Sequence, residues 1–226
     1  KLAKQKGSLV LIDACQSLAH QKLDVIDLNI DFLAGSGHKL CGPTGIGFLW
    51  SRKEILEKIP PLFGGGEMIQ DVFEETSTWA ELPHKFEAGT PAIAEAIGLA
   101  EAINYINNIG LNEIHEYEKT ITKYLFEKLN QIENIEIIGP SPEIDTDRAS
   151  LATFYIKNIH SNDIAEILDS KGICIRSGHH CCQPLHRYIG IKSTARISMN
   201  FTTNKEEIDM FIEKLKDTID FLKINS

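Results

Sequence analysis

Short apolar runs bounded by turn residues fill the first third of the chain, and helical periodicity takes over after it. Leu9 to Ile12 is an unbroken apolar run between Ser8 and Asp13, Asp31-Phe32-Leu33-Ala34-Gly35 is a second, and Gly45 to Trp50 is a third. Continuous runs of this length, without polar alternation, are the pattern of parallel strands buried on both faces. Lys1 to Lys6 reads as the polar end of a helix, and Leu18 to Asp27 is too short and mixed for one. Ser51 to Pro60 predicts a short helix stopped by Pro60-Pro61. Phe63-Gly64-Gly65-Gly66 predicts a flexible turn, and the polar stretch onward to Phe86 an extended loop.

Apolar residues at helical spacing predict a helix over Ala92 to Ile109 ending near Gly110, and a second from about Leu111 to Ile132. Strands are expected at Ile135 to Ile138, Ala152 to Ile156, Ile173 to Arg176 and Ala195 to Asn200. Helices are expected at Asn162 to Lys171 and Lys205 to Ile224. The fold class is therefore α/β: part of an open, mixed and mostly parallel sheet over residues 1–90, followed by a smaller α+β domain over 91–226. With no initiator Met and a strand so close to its start, the chain reads as beginning inside a domain.

Composition narrows the setting. The 226 residues are 42% hydrophobic and 24% charged, and 32 acidic against 23 basic residues give a net charge of -9. No basic block is present, so nucleic acid is not an expected partner. No run approaches the roughly 18 apolar residues of a membrane span, and KLAKQKGSL is not a signal peptide. Five cysteines, two of them adjacent, fit a reducing interior better than a disulfide framework, and a cytoplasmic location is expected.

Two motifs carry chemistry. Ser36-Gly37-His38-Lys39 closes the second apolar run and opens into Leu40-Cys41-Gly42-Pro43-Thr44-Gly45. A lysine at such a strand end can form a Schiff base with a carbonyl cofactor, which needs the neutral amine. Asp13 ends the first run, at the strand end where open α/β sheets bind ligands, and a buried carboxylate there can hold an N–H of a ligand. Arg176-Ser177-Gly178-His179-His180-Cys181 places a cysteine in a polar loop where it can meet substrate. Consecutive ligands cannot easily close a tetrahedral zinc site, so His179, His180, Cys181 and Cys182 are not read as one, and no metal is expected. Cys15, Cys41 and Cys174 lie in no motif and are left as structural.

Five ordered motifs resemble the class V, fold-type I enzymes that use pyridoxal phosphate, and specifically the group II cysteine desulfurases and selenocysteine lyases. They are Asp13-Ala14-Cys15-Gln16, the Ser36 to Gly45 segment, Phe86-Glu87-Ala88-Gly89-Thr90-Pro91, Arg176 to Cys181, and Thr194-Ala195-Arg196. The resemblance covers almost the whole chain but only the later part of the family's length. A phosphate-binding turn and a ring-stacking histidine are expected in the part not matched, which makes the chain look truncated at its N-terminus and inactive alone.

The resemblance implies a role for each residue. Lys39 holds pyridoxal 5'-phosphate and acts as the base, Asp13 bonds the pyridinium N–H, and Gln16 bonds the phenolic oxygen. Ser36 and His38 bind the phosphate, and Thr90 reaches the phosphate in the neighbouring subunit of a homodimer. Arg196 grips the substrate α-carboxylate. Cys181 accepts sulfur from L-cysteine as a persulfide, leaving alanine, and a sulfur-acceptor protein then takes it, for iron-sulfur cluster or other sulfur-cofactor assembly. Cys182 replaces the small or apolar residue usual there and is read as packing, with capture of the persulfide as a disulfide or polysulfide as the other reading. Alternatives are a selenocysteine lyase, another class V aminotransferase or lyase that has no use for Cys181, and a non-catalytic fragment or interaction module.

Overall fold

A computed structural model describes residues 1–224. The chain forms two compact units, Lys1–Glu113 and Ile114–Ser226. In the first lie α1 (Leu2–Gln5), β1 (Leu11–Asp13), β2 (Phe32–Ser36), a 3₁₀ turn (Gly37–Leu40), β3 (Gly47–Ser51) and α2 (Lys53–Leu56). They are followed by the hairpin β4 (Ile69–Val72) and β5 (Ser77–Trp79), a 3₁₀ turn (His84–Phe86), and α3 (Ile93–Ile109).

The three-strand sheet has the order β1-β2-β3, with β1 parallel and β3 antiparallel to β2. The third apolar run is thus a strand of opposite direction, and the expectation of strands buried on both faces fails for two of the three. Leu11 on β1 is 59% exposed and Leu49 on β3 is 57% exposed. Only β2, the central strand, alternates half-buried and buried residues. The core here is small: Ala14, Ile30 and Leu33, with Ile12, Leu18 and Trp50 packed on it. Asp31, just before β2, is buried and accepts hydrogen bonds from the Lys4 ammonium and from the Val10 backbone N–H at 2.7 Å. A buried carboxylate must be compensated in this way, and here it ties α1 and β1 to the start of β2.

Part of the expected loop between residues 66 and 86 is a hairpin. Phe73 N–H donates to Thr76 O at 2.8 Å across its turn, and Asp71 N–H donates to the Thr78 hydroxyl at 3.0 Å. Its strands are short and mostly exposed, so their sequence carries no clear alternation. The first unit also extends past residue 90 and includes α3. A Cβ on Gly98 would stand 3.0 Å from the Pro43 ring, and one on Gly42 would stand 2.9 Å from Leu99. Such close approach fastens α3 to the turn that follows Lys39.

The second unit is built on α4 (Leu111–Leu129), whose first turn belongs to the first unit. Then come β6 (Ile135–Ile138), β7 (Leu151–Ile156), α5 (Ser161–Ser170), β8 (Arg176–Gly178), α6 (Gln183–Ile189), β9 (Thr194–Ser198) and α7 (Lys205–Ile224). The sheet order is β6-β7-β9-β8 and every pairing is antiparallel. On β7, Ala152, Phe154 and Ile156 are buried while their alternate neighbours are only partly covered. This face packs in one core with Leu125 and Leu129 of α4, Ile164 and Leu168 of α5, and Phe211 and Leu215 of α7. Phe154 meets Phe211 with ring centroids 6.4 Å apart and planes tilted by 58°. Each such fully buried side chain contributes roughly 1.5–3 kcal/mol of transfer free energy.

One strand starts later than expected. Ile173 is taken up in closing α5, because its N–H donates to Leu168 O at 2.9 Å while Gly172 adopts φ 78°. That is a Schellman-type helix end, and the strand begins only at Arg176. Among the described residues no helix is long and apolar enough to cross a membrane.

Candidate active site

In the first unit, Asp13 and Ser36 stand at the C-terminal ends of the two parallel strands, where Asp13 pairs with Ala34 two residues before Ser36. This is the end at which open α/β sheets place ligands. The turn after Ser36 is closed by Gly37 N–H donating to Ile46 O at 2.9 Å and Gly42 N–H donating to Gly37 O at 3.0 Å. A Cβ on Gly37 would lie 2.9 Å from Ile46 O, so the glycine is required by the closeness of β3. His38 and Lys39 lie on the exposed side of this turn, and Ser36 Oγ is 3.1 Å from His38 Nδ1.

Asp13 is exposed, not buried as expected, because no element covers that end of β1 among the described residues. Its Oδ1 accepts from Cys15 N–H at 3.0 Å. Cys15, through its thiol and then its backbone, holds the Asp13 carboxyl below the ordinary carboxylate range, and the nearby Lys39 charge adds to this. The same contact pushes the Cys15 thiol up. Asp13 and Lys39 are therefore close enough to act on each other, and with the Ser36–His38 pair they form one cluster. Gln16 and Thr90 are exposed and hydrogen bonded to none of these four. Thr90 follows Gly89, whose φ of 82° and N–H donation to Gly66 O at 2.9 Å fix the turn before α3.

The cluster fits pyridoxal phosphate by its donor set. It has an ionised carboxylate for a ring N–H, an amine for a carbonyl, and a hydroxyl and an imidazole for a phosphate.

In the second unit the loop between β8 and α6 presents Cys181. His180 and Cys181 both have positive φ, 50° and 62°, a conformation that costs a non-glycine residue about 1–2 kcal/mol. Cys182 holds the loop in this shape: its backbone N–H donates to His179 O at 2.9 Å and its thiol to the same oxygen at 3.0 Å. Cys181 is exposed, and Arg176 Nη2 donates to its Sγ at 3.3 Å. Arg176 stands directly opposite Arg196 in the β8–β9 register. Arg196 Nε donates to Ser198 Oγ at 3.1 Å, and burial followed by the Arg176 charge lowers its pKa.

Behind the loop, α6 brings up the buried His186. Its Nδ1 lies 3.2 Å from Cys182 O, which can only accept, so Nδ1 donates there, and Nε2 lies 3.0 Å from the Thr194 hydroxyl. His179 packs edge-on against it at 5.4 Å and His180 tilted at 6.0 Å. Both ring nitrogens of His180 are buried without a hydrogen bond of normal geometry. Burial, then Arg196 and Arg176, push its pKa below the ordinary imidazole value, with the Thr194 backbone pulling weakly the other way.

Sequence reasoning placed Cys181 and Arg196 but not Arg176, His180 or His186 as site residues, and α6 was not expected at all. The signal for α6 was present: Pro184 in a first turn and Gly190 just past the end, with φ 74°. Charge was a second signal. Although the chain has 32 acidic residues, Ser170 to Lys205 contains none, so its charge is not spread evenly. Among the described residues no group of three or more His, Cys, Asp or Glu is placed to hold a metal ion.

The model of the aminotransferase class-V family matches residues 1–211. The chain belongs to that family. A relative from Synechocystis sp., named a probable cysteine desulfurase, is 53% identical over 221 residues, 98% of this chain and 52% of the relative. The chain thus spans about half the length of the curated relatives it matches. The apo cysteine desulfurase from Thermococcus onnurineus NA1 is similar with a TM-score of 0.91 and 38% identity, over 97% of this chain and 54% of that one. The C-DES protein, solved with glycine covalently linked to its PLP cofactor, is similar with a TM-score of 0.77 and 25% identity, over 93% and 52%. These likenesses agree with the mixed α/β, fold-type I architecture.

Proposed function

We propose that the protein this chain belongs to is a pyridoxal-phosphate-dependent cysteine desulfurase that converts L-cysteine to L-alanine with a persulfide on Cys181. The observation that carries this is the exposed Cys181 thiol under the Arg176 guanidinium at 3.3 Å. The donated Nη2–H holds the sulfur at an exposed loop position where a substrate can meet it. A transaminase of the same family has no use for a thiol so presented. The names of the relatives support the same reading.

Bound pyridoxal phosphate supplies the electron sink that makes an amino-acid Cα–H acidic. Asp13, held ionised, accepts the ring N–H and keeps that sink effective. Ser36 and His38 donate to the phosphate, with Gln16 at the phenolic oxygen. Thr90 reaches the phosphate of the partner subunit in a homodimer. Lys39 would hold the cofactor through its Nζ and, as a free amine, would move the proton at the substrate Cα. Arg196 presents a planar fork to the α-carboxylate. Cys181 attacks the substrate sulfur; the Cβ–S bond breaks with its electron pair left on the three-carbon fragment, which takes up protons to become alanine, and the sulfur remains on Sγ as a persulfide. A protein acceptor removes it toward iron-sulfur cluster or other sulfur-cofactor assembly, in the cytoplasm.

Adding pyridoxal phosphate to the chain, reducing with borohydride and mapping the mass increase tests the first half of this reading. Labelling confined to Lys39, and lost in Lys39→Ala, is the expected result, and scattered labelling overturns it. For the second half, L-cysteine should yield alanine without consuming an oxo acid. Cys181→Ala should keep the Lys39 label and lose the persulfide.

A further inference from the structure

The segment from Ser170 to Lys205 holds Lys171, Arg176, Arg187, Lys192, Arg196 and Lys205, with no Asp or Glu to balance them. It includes β8, the Cys181 loop, α6 and β9. Arg176 and Arg196 face each other across two paired strands, an arrangement that is destabilising for like charges. Among the described residues neither forms an ion pair; their side-chain hydrogen bonds go to the Cys181 thiol and the Ser198 hydroxyl. A guanidinium has five N–H donors, so both keep donors free. The imidazole beside them, His180, makes no hydrogen bond of normal geometry and is held toward its neutral form by burial and then by the same cations. Two uncompensated guanidinium groups at a nucleophilic thiol form a site for an anion, and a single α-carboxylate needs only one of the two forks.

We infer that the Arg176–Arg196 pair makes Cys181 a receiver of sulfur from sulfane-sulfur anions, thiosulfate and organic thiosulfonates, in a reaction that needs no cofactor. The sulfonate oxygens occupy the two guanidinium forks and the terminal sulfur meets Sγ. The Cys181 thiolate forms a bond to that terminal sulfur, the S–S bond of thiosulfate breaks, and its electron pair leaves with sulfite. The products are a Cys181 persulfide and sulfite. Cyanide or a thiol then takes the outer sulfur and restores the thiolate, so no oxidant or reductant enters. All the groups involved lie in the second unit, Ile114–Ser226. The inference shares with the proposed function the assignment of Cys181 as persulfide carrier and the use of Arg196 as an anion grip.

The test uses the 226-residue chain without pyridoxal phosphate. With thiosulfate alone, the expected result is a persulfide mass increase mapped to Cys181 and one equivalent of sulfite; with cyanide added, thiocyanate forms catalytically. Cys181→Ser abolishes both. Arg176→Gln and Arg196→Gln each slow thiocyanate formation tenfold or more, chiefly through a raised KM for thiosulfate, and added salt inhibits the wild type. Arg187→Gln, away from the pair, changes the rate less than twofold. Alkylation by iodoacetamide reports whether the thiol and its loop are intact in every variant. If Cys181 alkylates normally yet takes no sulfur from thiosulfate, or if the Arg176→Gln/Arg196→Gln double variant turns over at the wild-type rate, the inference is wrong. Neither readout involves Lys39 or alanine, so failure here leaves the desulfurase reading standing, and failure of that reading leaves this one.

Discussion

Arg176 and Arg196 oppose each other in register on neighbouring antiparallel strands, with the Cys181 thiol 3.3 Å from the first of them. Their repulsion predicts a trade of stability against reactivity. Arg176→Gln should stabilise the second unit by about 0.2–1 kcal/mol at low salt, seen as a higher urea midpoint, with the gain shrinking as salt is raised. Alkylation of Cys181 should slow in the same variant. A destabilised Arg176→Gln would mean that its packing outweighs its charge.

The core of the second unit rests on the inward face of β7. Truncating Phe154, which is fully buried against Phe211, should cost about 3–5 kcal/mol. Hydrogen exchange would show β7 and α7 losing protection together. A loss confined to β7 would mean that α7 is not held through this contact.

Gly42 predicts a different failure. A Cβ there would come within 2.9 Å of both Gly37 O and Leu99, and the first of these is backbone that cannot turn aside. Gly42→Ala should cost about 1–3 kcal/mol by overpacking and should also weaken borohydride labelling of Lys39, since the Lys39 turn must shift. Unaltered labelling in a destabilised variant would separate the turn from α3.

His180 gives the second unit a pH dependence of definite sign. Its folded pKa lies below the ordinary value of about 6.5, so the unfolded chain binds the proton more readily. The stabilising contribution is present above about pH 6.5 and is lost as pH falls toward the folded value. Urea midpoints measured between pH 7.5 and 5 should decline in the wild type and decline less steeply in His180→Asn. Parallel curves would assign the acid sensitivity to other groups.

The long helices were legible in the sequence because their periodicity is unbroken over many residues. Lys205 to Ile224 was read to the residue, and Ile93–Ile109 to within one. What misled was the inference from apolar runs to burial. Leu9, Leu11 and Leu49 are apolar by composition, but whether anything covers them is a property of packing that a run of residues does not record. The site divided in the same way. Lys39, Asp13 and Cys181 announce themselves through motif chemistry, whereas Arg176, which opens the cysteine motif, shows its part in the site only through its contact with Cys181 and its register with Arg196. His186 needed α6, whose seven residues are too few for a period to show. Gly172 marks the end of α5 in the sequence, whereas the Phe73–Thr76 turn depends on single backbone conformations and leaves no pattern at all.

Both outer strands of the three-strand sheet leave backbone donors and acceptors unpaired on their far sides among the described residues, and both carry bare leucines. Such edges are templates for further strand addition. In a preparation of this chain, the first unit would set the shelf life: association would grow with concentration, and its exchange-protected amides would cluster on β2, the one strand with neighbours on either side.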